Sequence, residues 1–138
     1  MTLSCGTLVL DGSAFFKKAR DFLGVPFRPQ GRNPSVGLDC VGLTMLVFDI
    51  PEHTIPFRYW ISQRQCMNAI VEQLGRYFDE VAKVDAESGD LLLIEVGEGR
   101  AHFAVRGTKS HIHAHAGLLR IVESPGMPRE ATRSFRRH

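Results

Sequence analysis

The sequence predicts an α+β domain, with helices gathered in its first half and packed on an antiparallel sheet or partial barrel built from its second. Two observations carry that expectation. Apolar residues recur at helical spacing up to about Phe78, whereas beyond Glu80 they fall into short alternating runs punctuated by glycines and charged residues. At 138 residues the chain has the length of one domain with a core that needs no staples, and no repeat or low-complexity stretch divides it.

The first helix is capped by Asp11 or Ser13, carries Phe15, Phe16, Ala19, Phe22 and Leu23 on one face, and ends at Gly24. Prolines and a glycine keep Pro26 to Ser35 as a loop. Val41 to Ile50 is almost wholly apolar, has the length of a buried helix, and must stop before Pro51 and Pro56. Phe57, Tyr59 and Trp60 form an aromatic patch that covers the core or lines a pocket. A third helix is expected from about Ser62 to Phe78, with Met67, Ile70, Val71, Leu74, Tyr77 and Phe78 on one face. Five strands should follow: Glu80 to Val84, Asp90 to Val96, Ala101 to Arg106, Ser110 to His115, and Leu118 to Glu123. Gly97 to Gly99 reads as a hairpin turn, because no helix begins there to make it a phosphate loop. Arg129, Arg133, Arg136 and Arg137 fall in the last stretch and read as a solvated or frayed end. The expected organisation is therefore one domain over 1–138, with its core at about 14–123 and a basic tail at 124–138.

Composition excludes several classes of function. With 43% hydrophobic and 23% charged residues and a net charge of +2, no general basic field calls for nucleic acid. No segment has the length of a membrane span, and Met1 to Leu10 lacks the basic leader and apolar stretch of a secretory signal. Cys5, Cys40 and Cys66 are an odd number, at spacings that match neither a zinc signature nor a secreted disulfide framework, which points to synthesis in the reducing cytoplasm and to free thiols. Cys5 near the terminus and Cys66 on the third helix read as structural or incidental.

Cys40 stands where the loop gives way to the apolar segment, at or beside a helix N-terminus. There the unpaired amides and the helix dipole favour a thiolate, lowering a pKa that for free cysteine lies near ~8.5. Taken alone, the stretch reads more simply as a buried cysteine serving as a small hydrophobe. The histidines alter the balance. Strand alternation puts His102 and Ala104 on one face with Phe103 and Val105 on the other, and gathers His111, His113 and His115 on one face of the next strand. If the two strands pair, His102 lies beside His113. A cysteine at a helix start, a strand histidine and a neighbouring polar group make up the thiolate, imidazole and orienter of nucleophilic catalysis. The same row of alternate histidines could instead converge on one zinc ion. By themselves, His111 and His115 read first as surface residues and His102 as functional.

Three ordered motifs then agree with a known family. Ala19-Arg20-Asp21-Phe22-Leu23-Gly24-Val25-Pro26-Phe27 followed by Gly37-Leu38-Asp39-Cys40-Val41-Gly42-Leu43, Ser88-Gly89-Asp90-Leu91-Leu92-Leu93 with His102 beyond it, and Ile112-His113-Ala114 together resemble the NlpC/P60 cysteine peptidases. The resemblance spans Ala14 to Glu123. It implies a papain-like fold, hydrolysis of peptide bonds in bacterial peptidoglycan, Cys40 as nucleophile, His102 as its base and His113 as orienter, with no cofactor and no metal. It also implies a substrate cleft involving Phe27, Arg28, Ser35, Asp39 and Trp60, although the position of Asp39 reads first as the helix cap. Arg28-Pro29-Gln30-Gly31-Arg32 and Val122-Glu123 are similar to the branch carried by phage tails and gene transfer agents. That branch implies tail or baseplate partners, and a particle that delivers the enzyme to the envelope without a signal peptide. Three positions depart from the family pattern: Phe27 for a usual tyrosine, Val41 for a serine and Ala104 for a glycine.

Overall fold

The structure, a computed structural model, describes residues 13–51, 71–95, 101–129 and 131–138. Helix α1 spans Ser13–Arg20 and buries Phe16 and Ala19, while Phe22 and Leu23 fall in the turn after it. The Phe16 ring packs on Gly107, where a Cβ would collide with it. Helix α2 spans Cys40–Phe48, and seven of its nine residues are buried, as its unbroken apolar run requires. It stops on Asp49, whose left-handed backbone (φ 55°) lets its N–H return to the Met45 carbonyl ahead of Pro51. The Phe48 ring meets Phe15 of α1 at 4.9 Å, tying the two helices together.

Between the helices, β1 (Arg32–Asn33) and β2 (Gly37–Leu38) form a small antiparallel ladder. This loop lies directly on the start of α2, because Gly42 packs against the Gly31 carbonyl in a space that would not admit a Cβ.

Helical structure at residues 71–74 belongs to the expected third helix, whose earlier part lies outside the described residues. Its expected end is corrected: a turn follows Leu74, and Phe78 opens strand β3 (Phe78–Val81). Phe78 still reaches the core, meeting Phe48 edge-on at 5.2 Å. The expected strand at 80–84 is accordingly shorter and earlier, and a 3-10 turn at Lys83–Asp85 leaves Val84 exposed.

Strands β4 (Leu91–Glu95), β5 (Ala101–Arg106), β6 (Ser110–His115), β7 (Arg120–Pro125) and β8 (Ala131–Arg137) complete a six-stranded antiparallel sheet of order β3-β8-β4-β5-β6-β7. The sheet is open rather than closed, in keeping with the expected α+β domain of helices packed on an antiparallel sheet. The hairpin turn expected at Gly97 to Gly99 lies outside the described residues.

A second correction concerns the C-terminus. Instead of fraying, residues 131–137 form an interior strand between β3 and β4. Ser134 and Phe135 are buried, and the arginines beside them find partners far back in the chain: Glu80 for Arg133, Asp90 for Arg136, and the Phe48 and Tyr77 carbonyls for Arg137. One face of the sheet presents Leu91, Leu93, Phe103, Val105, Ile112, Ala114, Ile121 and Phe135 to the helices, and the other carries a smaller cluster of Leu92, Ile94 and Ala104.

Candidate active site

Cys40 is the first residue of α2, and Asp39 fixes that start. One carboxylate oxygen accepts from the Val41 N–H (3.1 Å), the Gly42 N–H (2.8 Å) and the Arg32 guanidinium (2.9 Å). The other accepts from the Gln30 N–H at 2.8 Å. Two amides left orphaned by helix geometry are thereby satisfied, and the β1–β2 loop is pinned to the helix. Asp39 is 6% exposed, with its carboxylate turned to the helix and loop. It caps the helix, and it is also among the residues that line the cavity at Cys40.

A cavity of about 500 Å³ opens at Cys40. His102, His113 and His115 line it, together with Phe27, Pro29 and a set of small residues, Ala101, Ala114, Ala116 and Gly117. The strands explain how the histidines meet. β5 and β6 pair only at Val105↔Ile112 and Arg106↔His111, and beyond these pairs they diverge, leaving a gap that the rings of His102 and His113 bridge. His102 Nε2 lies 3.3 Å from His113 Nδ1, with the rings edge to face at 5.5 Å.

His111 and His115 are not the surface residues that alternation suggested. His111 is buried, donates from Nδ1 to the Gly126 carbonyl at 2.8 Å, and stacks on His113 at 5.0 Å. His115 faces the cavity, and its Nδ1 accepts from the Leu118 N–H at 3.0 Å. Among the described residues no three His, Cys, Asp or Glu side chains are arranged to hold a metal ion.

Burial drives Cys40 and His113 toward their uncharged forms. The Cys40 thiol is pushed up to about 12, first by desolvation and then by the Asp39 carboxylate. The N–H groups of Phe103 and Cys40 and the Arg32 guanidinium act in the opposite direction without balancing these two effects. The lowered pKa expected from the helix N-terminus is thus reversed, and Cys40 rests as a thiol. His113 is pushed down to about 4, again chiefly by desolvation and then by neighbouring His102, His111 and His115, so it is a neutral imidazole near pH 7.

No family model matches this sequence, and comparison with curated proteins finds no match. Solved structures do match. The NlpC/P60 domain of the peptidoglycan hydrolase SagA shares 23% identity over 83% of this chain and 89% of its own, at a TM-score of 0.58. The P60 domain of an antigen from M. avium subspecies paratuberculosis shares 19% over 91% and 93%, at 0.59. The peptidoglycan hydrolase RipB of Mycobacterium tuberculosis shares 20% over 98% of this chain and 68% of its own, at 0.61. The chain has the NlpC/P60 fold.

Within that NlpC/P60 fold, Phe27 is held at the cavity by its N–H, which donates to the Leu119 carbonyl at 2.8 Å. It presents a bare ring, without the hydroxyl of a tyrosine. Arg28 and Ser35 are exposed and do not line the cavity; Ser35 closes a turn by donating its N–H to Asn33. Trp60, Cys5 and Cys66 lie outside the described residues. One residue went unnoticed in the sequence: Ser124, whose hydroxyl lies 3.0 Å from His113 Nε2. Alternation on the last predicted strand had ended at Glu123, one residue short of it. The signal was the spacing from Val122, which stands opposite His113 in the β6–β7 ladder.

Proposed function

We propose that the chain is a cysteine peptidase that cleaves peptide bonds in the stem peptides of bacterial peptidoglycan. The observation that carries this reading is the meeting of Cys40, His102 and His113 at one cavity, with His102 held through Nε2 by His113. The solved structures that share the fold include peptidoglycan hydrolases, which supports the choice of substrate.

With Nε2 facing His113, His102 uses its other ring nitrogen, Nδ1, to take the Cys40 proton as substrate enters. A thiol that rests protonated needs this general base. The sulfur attacks the carbonyl carbon, the new oxyanion is met by the Cys40 backbone N–H at the start of α2, and His102 passes its proton to the departing amine. Water then attacks the acyl-enzyme while His102 takes one of its protons, and the carboxylate product leaves with Cys40 restored as a thiol. His113 stays neutral throughout and orients His102. The setting proposed is a phage tail or phage-like particle, made in the cytoplasm and acting at the envelope, on the strength of the Arg28 to Arg32 and Val122-Glu123 motifs.

Mass spectrometry of peptidoglycan fragments after incubation with wild type and Cys40→Ala tests the activity. Wild type releases stem-peptide fragments and the variant none; equal release by both would end the proposal. A second reading, a tail component that keeps the fold without turnover, draws on the raised thiol pKa. Alkylation with iodoacetamide across pH separates the two. The peptidase shows a base-assisted limb set by His102 that His102→Ala removes, whereas a structural thiol reacts only as it ionises in strong alkali.

A further inference from the structure

We propose that Ser124 is a positioning residue of this site, accepting the Nε2 proton of His113 and so holding His113 in the tautomer whose bare Nδ1 receives the Nε2 proton of His102. The choice of tautomer is argued from the peptidase reading above, but it is measured independently of turnover.

The placement follows from the β6–β7 hairpin. His111 pairs with Ser124 and His113 with Val122, so these four side chains share one face. On that face His111 is anchored by its bond to the Gly126 carbonyl and lies over His113 at an interplanar angle of 23°. The stack fixes the plane of the His113 ring, with Ser124 at one nitrogen (3.0 Å) and His102 at the other (3.3 Å).

A neutral imidazole has one N–H and one bare nitrogen, so the two contacts of His113 must run in the same sense along the chain. In one sense His102 Nε2–H donates to His113 Nδ1, and His113 Nε2–H donates to the Ser124 oxygen. In the other, Ser124 donates to His113, His113 donates to His102, and the remaining proton of neutral His102 sits on Nδ1, where it cannot receive one from the thiol. The chemistry selects between them. Once His102 has taken the Cys40 proton it carries hydrogens on both nitrogens, and only a bare His113 Nδ1 can accept from it. That tautomer leaves a partly buried N–H on the far side of His113, and Ser124 is the acceptor that satisfies it.

The experiment uses the full chain labelled with 15N-histidine. Long-range proton–nitrogen spectra near neutral pH should show His113 protonated at Nε2 in wild type and Ser124→Thr, with Ser124→Ala moving population to the Nδ1–H form. On soluble stem peptides Ser124→Ala should lower kcat about tenfold with KM unchanged, and Ser124→Thr should restore it. A wild-type His113 protonated at Nδ1, or a tautomer that Ser124→Ala leaves unmoved, overturns the assignment, even if activity falls. A tautomer that shifts as expected in a protein that cleaves nothing upholds the role of Ser124 while the peptidase reading fails.

Discussion

The two ends of the sheet hold polar side chains in opposite ways. At the β3–β8–β4 end, charges are kept and paired: Arg136 donates to both oxygens of Asp90 at 3.0 Å, and Arg133 makes a forked bond to Glu80. Around the cavity at the β5–β6–β7 end two groups are held uncharged, although Glu123 on β7 keeps its charge in a pair with Arg20. The thiol of Cys40 and the imidazole of His113 are both pushed toward neutrality, and hydrogen bonds link His102, His113 and Ser124. The first arrangement gives tight, directional pairing that closes a sheet around a polar strand. The second leaves the Cys40 thiol and the His113 imidazole uncharged at rest. A strand of arginines and a strand of histidines thus hold their polar groups in opposite ways within one sheet.

The comparison can be broken first at the structural end. Phe135→Ala removes a ring that is 2% exposed on β8, and should cost about 3–5 kcal/mol in urea unfolding. Cys40→Ala should leave the unfolding midpoint near wild type while abolishing hydrolysis. Next comes Arg136→Ala, which strands the Asp90 carboxylate at 3% exposure. Because the guanidinium itself is 39% exposed, the expected loss is about 1–2 kcal/mol, below that of a fully buried pair.

The smallest expected effect sharpens the chemical end. His113 titrates near 6.5 when unfolded and near 4 when folded. Between those values the unfolded chain binds a proton that the folded chain does not, so stability rises with pH across the window. The contribution is complete above about 6.5, and is lost as pH falls through about 4. Urea midpoints at either end of this window should therefore fall further for wild type than for His113→Asn, which has no proton to bind. Equal falls would mean that His113 is not held neutral by burial.

The legible parts of this protein are those that local pattern dictates. Asp39 caps the helix through amides two and three residues away, so the short run around Cys40 was enough to place the cysteine at a helix start. Alternation placed His102 and His113 on adjacent strands, and the order of motifs matched the fold that the solved structures share. The misreadings have a common cause. Phe78 fits helical spacing as well as it fits the start of β3, and only the strand beside it decides. Arg133 and Arg136 looked like a solvated tail because their carboxylates lie 53 and 46 residues away. His111 looked like a surface residue because its carbonyl partner, Gly126, belongs to a neighbouring strand end.

By itself, the sequence determined the helix and strand periods, the cap at Asp39 and the order of cysteine before histidines, all of which depend on residues within a few positions of one another. Tertiary structure alone decided that the thiol rests protonated, that β8 is interior, and that Ser124 completes the chain of hydrogen bonds from His102. Each of these depends on how much water is excluded and on which distant group supplies the missing partner, and both are properties of the packed chain.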